Sequence, residues 1–459
     1  MNNLGYSKTL IIFSLTGLLT SCTLSQALRV SQRIIKRSVA TPEETLEETQ
    51  TQAPSTPIPA SLLARYQPIE DVEIWFDELY RHTNFAKLEQ FIDQSLSQEH
   101  QDEKVSAYLT RLYLALTEMP SHDYHYELED EQYFQQQKAV LDEWIATRPN
   151  AHIPWLLRGM LLTHYGWEIR EAKWGRDVPT EVRAQFKQYL QAAQNDMERA
   201  AELNPDDPNV WSQLILIARG LSLPRNVWEH YYQQGLAANP HHLGVRGHQL
   251  ISLSPKWFGS REDMLVFAQA NYTAAQQADK PLLGAVTLGA FREIDRQEQG
   301  YLSQPRVWTQ MQEIYKGIFA KYPDDIRMRY YYAYDAYIAQ QYEEALRQFE
   351  MIGDRWTTGT PWNKLEKFHR FRAQSYSQVA HMTYAQGDYE RAETLALKAV
   401  ELLPTARTYL LLGGISGNVH RDLLKTAEYA RQALAANPTE TERQYAEEFI
   451  RKAEQLQAQ

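Results

Sequence analysis

The chain has 459 residues, enough for two or three ordinary domains or for one extended array of repeats. A hydrophobic fraction of 43% and an aromatic fraction of 12% exclude a globally disordered chain. The net charge is −11 and no dense stripe of lysine and arginine interrupts it, so the composition disfavours a protein that binds nucleic acid.

The N-terminal residues have the pattern of an export signal. A polar segment with one positive charge is followed by an apolar run at 9–19, which is too short to span a bilayer as a stable helix. The run ends in Leu19-Thr20-Ser21-Cys22, and Cys22 is the single cysteine. This pattern resembles the processing site of bacterial lipoproteins, which implies a signal peptide at 1–21 and lipid on Cys22. An ordinary secretory signal with a coincidental cysteine is the alternative.

The same resemblance predicts where the protein is held. Several acyl chains on Cys22 give stable anchoring, so we expect the chain to contact the membrane through that lipid. Thr23 follows the cysteine, and in bacterial lipoproteins the absence of aspartate there favours the outer membrane, facing the periplasm. Residues 22–60 predict a flexible tether, of which 41–60 is rich in Glu, Thr and Pro and is expected to be extended.

Residues 61–300 predict a first helical, repeat-like domain. Apolar positions at helical spacing mark paired helices from about residue 72 onward. Trp155 and Trp211 each stand six positions after a proline, Pro149 and Pro205, that ends a preceding helix. Pro240 follows Pro205 by 35 residues, which fits a repeat of ~34 residues.

Residues 301–459 predict further repeats, and the segment 375–404 is the clearest. A Gly387-Asp388-Tyr389 turn separates two helical runs, and small alanines allow close helix packing. The segment resembles a tetratricopeptide repeat at Tyr376, Ala380, Gly387, Tyr389, Ala392, Ala399 and Pro404. A degenerate copy begins near Asp324. The predicted fold is therefore all-α, a tetratricopeptide-like solenoid of helical hairpins in a right-handed superhelix, with no sheet.

Two irregular patches interrupt this pattern, and both predict a binding surface. One is an inserted segment at 167–180, and the other is the helix-breaking stretch 246–261. With Trp-x-x-Arg-Gly at 155–159 and Pro-Lys-Trp-x-Gly-Ser at 255–260, the region 64–294 resembles a bacterial family of helical domains of unassigned function. The family brings no catalytic residue. The predicted binding residues are Trp155, Arg158, Trp167, Trp174, Lys256, Trp257, Ser260 and Arg261.

Each of these residues has a structural interpretation as well. Arg158 lies in an apolar run, so it needs either a structural partner, such as Glu168, Glu171 or a carbonyl of the inserted loop, or a ligand carboxylate. The stretch 255–261 predicts either an anion pocket or a helix cap by Ser260 beside a core Trp257. The tyrosines at 330–337 predict repeat packing, with glycan contact as the alternative.

Catalytic and cofactor motifs are missing from the sequence. It has no glycine-rich phosphate loop and no nucleophile elbow, and we predict no cofactor. The histidines at 122 and 125 and their acidic neighbours fit an acidic connector better than a zinc site, so we predict no metal.

Two functions follow from these patterns. The first is an envelope scaffold whose groove binds an unidentified envelope protein or peptide, with 155–261 as the specific surface and 376–438 as a second one. The second is an envelope enzyme that acts on peptidoglycan or another glycan through carboxylates such as Glu168 and Asp177. A structural assembly factor is a third possibility.

Overall fold

The computed structural model describes residues 67–68, 85–99, 102–115, 117, 130–171, 177–356, 361–362 and 364–457. The predicted signal peptide, Cys22, the tether, Trp174 and the histidines at 122 and 125 lie outside these residues. The described part contains eighteen α-helices and a single pair of two-residue strands, so the predicted all-α class is confirmed. None of these helices is both long and apolar enough to cross a bilayer.

The described residues form two compact units, the first of which comprises 85–325 and residue 361. The predicted division at residue 300 precedes the last helix of this unit. Besides a short 3-10 turn at Pro281–Leu283, the first unit contains eleven helices: α1 (Phe85–Glu99), α2 (Glu103–Ala115), α3 (Asp130–Thr147), α4 (His152–Arg170), α5 (Thr180–Leu203), α6 (Pro208–Gly220), α7 (Arg225–Ala238), α8 (Leu243–Ser252), α9 (Arg261–Gln277), α10 (Gly284–Gln297) and α11 (Pro305–Lys321).

The second unit comprises 67–68, 326–356, 362 and 364–457. Its two strands, β1 (Gln67–Pro68) and β2 (Arg355–Trp356), pair in parallel, a small departure from the prediction of no sheet. Its described helices are α12 (Ile326–Ile338), α13 (Tyr342–Ile352), α14 (Leu365–Ala385), α15 (Tyr389–Leu402), α16 (Ala406–Asn418), α17 (Leu423–Ala435) and α18 (Glu440–Gln457).

Consecutive helices pair within each unit. Helices α4 and α5, α6 and α7, and α9 and α10 pack together in the first unit, as do α12 and α13, α14 and α15, and α16 and α17 in the second. Because short connections join the members of most of these pairs, they are helical hairpins. The repeat pattern predicts this pairing of consecutive helices within each hairpin.

The hairpin of α14 and α15 has the features read from its sequence. Gly387 adopts a φ of +88°, a conformation that favours glycine, and Asp388 caps α15 by accepting a hydrogen bond from the amide of Arg391. The alanines at 392, 396 and 399 are buried against α14, where their small size allows the two helices to approach closely. Small buried side chains and a left-handed glycine therefore specify this hairpin locally.

Repeat junctions in the first unit share one hydrogen bond, which we call the proline latch. The indole N–H of Trp155 donates to the carbonyl of Pro149 at 3.2 Å, and that of Trp211 donates to Pro205 at 2.8 Å. Six residues after Pro240 stands Arg246, whose Nη2 donates to the Pro240 carbonyl at 2.6 Å. The latch connects the end of one helix to the first turns of the next helix. It explains why a donor side chain recurs six residues after each of these prolines.

The tyrosines of α12 pack in the core of the second unit. Tyr330 and Tyr334 meet the buried Trp362 edge-on, with ring centroids 6.2 and 5.9 Å away, and Tyr337 contacts Phe371 at 4.5 Å. The hydroxyl of Tyr330 donates to the carbonyl of Arg355. Repeat packing therefore accounts for this aromatic group.

Candidate functional site

Helix α4 carries three of the predicted site residues and is buried along almost its whole length. A helix that is apolar all round lies inside its unit. The structure extends α4 through Arg170, so the first part of the predicted insertion, from Trp167 to Arg170, is helical rather than loop. This extension holds Trp167 and Arg170 in fixed positions at the end of a buried helix.

Arg158 forms a structural ion pair, with partners that differ from the predicted ones. Its Nε and Nη2 donate to the two carboxylate oxygens of Asp196 on α5, at 2.7 and 2.6 Å. Its Nη1 donates to Asp142 on α3 at 2.8 Å. The expectation of Glu168 or Glu171 was wrong, because Arg158 points towards the neighbouring helices rather than along its own.

Trp155 lies beside this ion pair. The Arg158 guanidinium carbon is 5.0 Å from the centroid of the Trp155 ring, and the Trp155 indole forms the first proline latch. Trp155 is half-buried, so one part of its ring faces solvent.

The loop 253–260 has its shape set by Gly259. A Cβ atom there would lie 2.2 Å from the carbonyl oxygen of Leu253, so any other residue would force the backbone to move. Next to it, Phe258 stacks on the buried Trp228 at 5.7 Å. The loop is therefore closed on itself and anchored to α7.

Ser260 and Arg261 belong to the start of α9. The hydroxyl of Ser260 accepts a hydrogen bond from the amide of Asp263 at 3.1 Å, which is the predicted helix cap. The side chain of Arg261 is about half exposed, lies 3.3 Å from a carboxylate oxygen of Glu298 and sits over the Tyr301 ring.

The fold brings Trp167 and Trp257 together although 90 residues separate them in the sequence. Their rings meet edge to face, with centroids 6.4 Å apart. Trp167 is only 7% exposed, and its indole N–H has no hydrogen-bond acceptor in the described part of the chain. Trp257 is half-buried.

Three cationic side chains surround this aromatic pair, and we call Arg170, Arg219 and Lys256 the cation cluster. The guanidinium carbon of Arg170 is 5.1 Å from the Trp167 ring centroid. The guanidinium carbon of Arg219 and the ammonium of Lys256 are each 5.7 Å from the Trp257 ring centroid. The cluster thus joins α4, α6 and the loop after α8.

Burial lowers the pKa of all three side chains in the cluster. Burial, and then Arg183, lower the pKa of Arg170 to about 10, and burial alone lowers the pKa of Arg219 to about 9. Burial, Arg170 and Arg219 lower the pKa of Lys256 to about 8, against the opposing effect of Glu293. All three groups are therefore protonated at neutral pH, in surroundings that disfavour their charge.

Among the described residues, no carboxylate pairs with Arg170 or Arg219, whose acceptors are backbone carbonyls and a hydroxyl. His248 is buried, and burial followed by Arg219, His242 and His164 holds its pKa well below the usual value, so it is uncharged. Glu293 is buried and pairs with Arg296 at 2.9 Å. The cluster offers N–H donors and positive charge, a chemistry suited to binding acceptor groups rather than to abstracting protons.

Sequence reasoning missed Arg170, Arg219 and His248. Arg219 follows the apolar run Leu214 to Ala218, the same signal that singled out Arg158. Glu168 and Asp177, the carboxylates of the enzyme hypothesis, differ in environment, since Glu168 is buried and Asp177 is exposed.

The fold and this geometry define an all-α protein of helical hairpins with a buried cationic site. A family model described as a domain of unknown function (DUF4034) matches residues 74–228. The chain is thus similar to a helical family without an assigned function, over a shorter range than the resemblance implied, since the loop at 255–260 lies beyond the match. No curated protein matches the chain.

Proposed function

We propose that this protein is a lipid-anchored scaffold of the bacterial cell envelope that binds a protein or peptide partner through its helical hairpins. The anchor is lipid on Cys22, at the outer membrane facing the periplasm. Stacked hairpins in a right-handed superhelix form the groove into which the partner docks.

One observation carries this proposal: the first unit has part-exposed tryptophan and cationic side chains at position 155 and in the irregular stretch 256–261. Trp155, Lys256, Trp257 and Arg261 are all only partly buried. Tryptophan and arginine are enriched among the residues that contribute most binding energy at protein interfaces. The donor-rich chemistry of the site supports binding rather than catalysis.

The test is photocrosslinking in intact cells, with a photoreactive amino acid replacing Arg261. We expect one protein to be captured at position 261 and not at the exposed Lys452 of α18, which serves as the matched control. Capture of glycan alone, or equal capture at both positions, would contradict the scaffold.

A further inference from the structure

We propose that the cation cluster is a binding site for a compact oxyanion, a carboxylate or phosphate group that enters beside Lys256 and is held by Arg219 and Arg170. This site is independent of the partner proposed above, because it rests on buried charge and unmatched donors rather than on an exposed surface.

Arg219 is the first observation. Its side chain is 1% exposed, and in the described part of the chain its acceptors are the carbonyl of His248 at 3.0 Å and the hydroxyl of Ser252 at 3.5 Å. Among the described residues its Nε has no acceptor, and no carboxylate lies within ion-pair distance. A buried charge without a counter-charge is strongly unfavourable, so Arg219 is placed for a negative group that arrives from outside.

Arg158 provides an internal comparison in the same unit. It is less buried than Arg219, yet it holds Asp196 with two hydrogen bonds and Asp142 with a third. An arginine with a structural role in this unit is therefore fully paired with carboxylates. The absence of such a pair at Arg219 points to a ligand.

Two further donors of the first unit lack acceptors, one of them beside Arg219. The buried indole N–H of Trp167 has no acceptor among the described residues, and its ring lies against Gly220, the next residue after Arg219. Arg170 is 8% exposed and donates to the carbonyl of Glu171 at 3.2 Å, again without a carboxylate among the described residues. Arg219, Trp167 and Arg170 are thus donors that an anionic group with several acceptor oxygens would satisfy.

Lys256 borders this interior, and its ammonium nitrogen is buried. Its side chain is half-buried, the preceding Pro255 is exposed, and Arg170 and Arg219 are close enough to lower its pKa. A guanidinium presents a planar fork of N–H donors that matches the oxygens of carboxylate and phosphate. The shared chemistry of these two groups is what the site recognises.

The experiment uses the full chain with its lipid anchor, purified in detergent, at constant ionic strength. Inorganic phosphate and succinate are titrated separately by calorimetry and thermal unfolding, with chloride as the reference. A ligand that binds only the folded state raises the unfolding temperature. A rise with phosphate assigns phosphate chemistry, and a rise with succinate assigns carboxylate chemistry. No rise above chloride with either overturns the proposal.

Variants locate the site. We expect Lys256→Met and Arg170→Met each to weaken anion affinity by about tenfold, since each removes a hydrogen bond to a charged group. Arg225→Met is the matched control, because Arg225 also sits over a tryptophan, Trp228, but is paired with Glu229. Wild-type affinity in both cluster variants would overturn the assignment.

Arg219→Met separates binding from a structural role. Removing an unmatched buried charge should leave the anion-free protein at least as stable as the wild type and abolish the anion-induced rise. A variant that is less stable and still shows the rise would contradict the proposal. If this variant does not fold, the Lys256 and Arg170 variants decide the question.

Discussion

Arg158 and Arg219 lie on two apolar helices of the same unit, and their surroundings give them opposite energetic roles. Arg158 compensates a buried carboxylate, so its loss leaves Asp196 buried without a partner. Breaking a buried ion pair from one side is strongly destabilising, because the remaining charge is desolvated.

We therefore expect Arg158→Met to lower the free energy of unfolding by about 3 kcal/mol. Urea unfolding measures the change. Arg199→Met is the control on α5, since Arg199 is exposed and pairs with the exposed Glu202, and it should cost less than about 1 kcal/mol. Equal effects of the two substitutions would show that the Arg158 pair contributes no more than a surface pair.

Glu103 is a buried carboxyl that connects three segments of the first unit. It lies at the start of α2, is 2% exposed, and accepts hydrogen bonds from the amide of Leu282 and the hydroxyl of Tyr322, both at 3.0 Å. Burial raises its pKa from 4.5 to about 7, although both hydrogen bonds oppose the shift. The folded protein therefore retains a proton that the unfolded chain releases.

This difference gives stability a definite dependence on pH. Between pH 4.5 and about 7 the folded state binds more protons at Glu103, so the free energy of unfolding falls as pH rises through that window. The fall is at most roughly 3 kcal/mol. Glu103→Gln carries no charge and should lack this contribution, as urea unfolding at pH 5 and pH 8 would show. Parallel profiles of variant and wild type would contradict the expectation.

At the scale of elements, the loop between α8 and α9 depends on Gly259. We expect Gly259→Ala to destabilise the protein by about 1–3 kcal/mol, because the added methyl group collides with the Leu253 backbone. Gly317→Ala on α11 is the control: nothing lies within 4 Å of the added atom, and alanine favours helix by roughly 0.5–1 kcal/mol. Thermal unfolding should move in opposite directions for the two variants, and a shift of the same sign would be inconsistent with the loop geometry.

Features whose sequence pattern lies within one segment were predictable, and contacts between distant segments were not. The hairpin of α14 and α15 was predictable because its turn glycine and its small alanines lie within one segment. The partner of Arg158 was not, because Asp196 is 38 residues away on α5, and helical periodicity gives no register between two helices. The meeting of Trp167 with Trp257 is likewise a property of packing. Arg219 carried a local signal, an arginine at the end of an apolar run, and was overlooked.

At the scale of the whole molecule, two units of paired helices follow a predicted anchor and tether. We expect Cys22→Ala to move the protein from the membrane fraction to the soluble periplasmic fraction, because the proposed attachment is lipid on Cys22. Fractionation of a Gram-negative host, followed by immunoblotting, measures this.

Thr23→Asp serves as the matched control for this experiment. It retains Cys22, the proposed lipidation site, and should keep the protein in the membrane fraction while moving it to the inner membrane. A Cys22→Ala variant that sediments with the membranes like the wild type would refute lipid anchoring.

The proline latch has a consequence for how such repeats diverge. Its acceptor is a main-chain oxygen, present whatever the side chains are, and its donor is any long side chain with a suitably placed N–H, tryptophan in two copies and arginine in the third. Replacing the tryptophan donor by another N–H donor can therefore remove the aromatic residue from the sequence pattern while the junction between the two helices keeps its geometry. Duplicated hairpins in such a chain would stay recognisable after their sequence similarity is lost. The remaining sign would be a side-chain N–H donor in the first turns of every second helix.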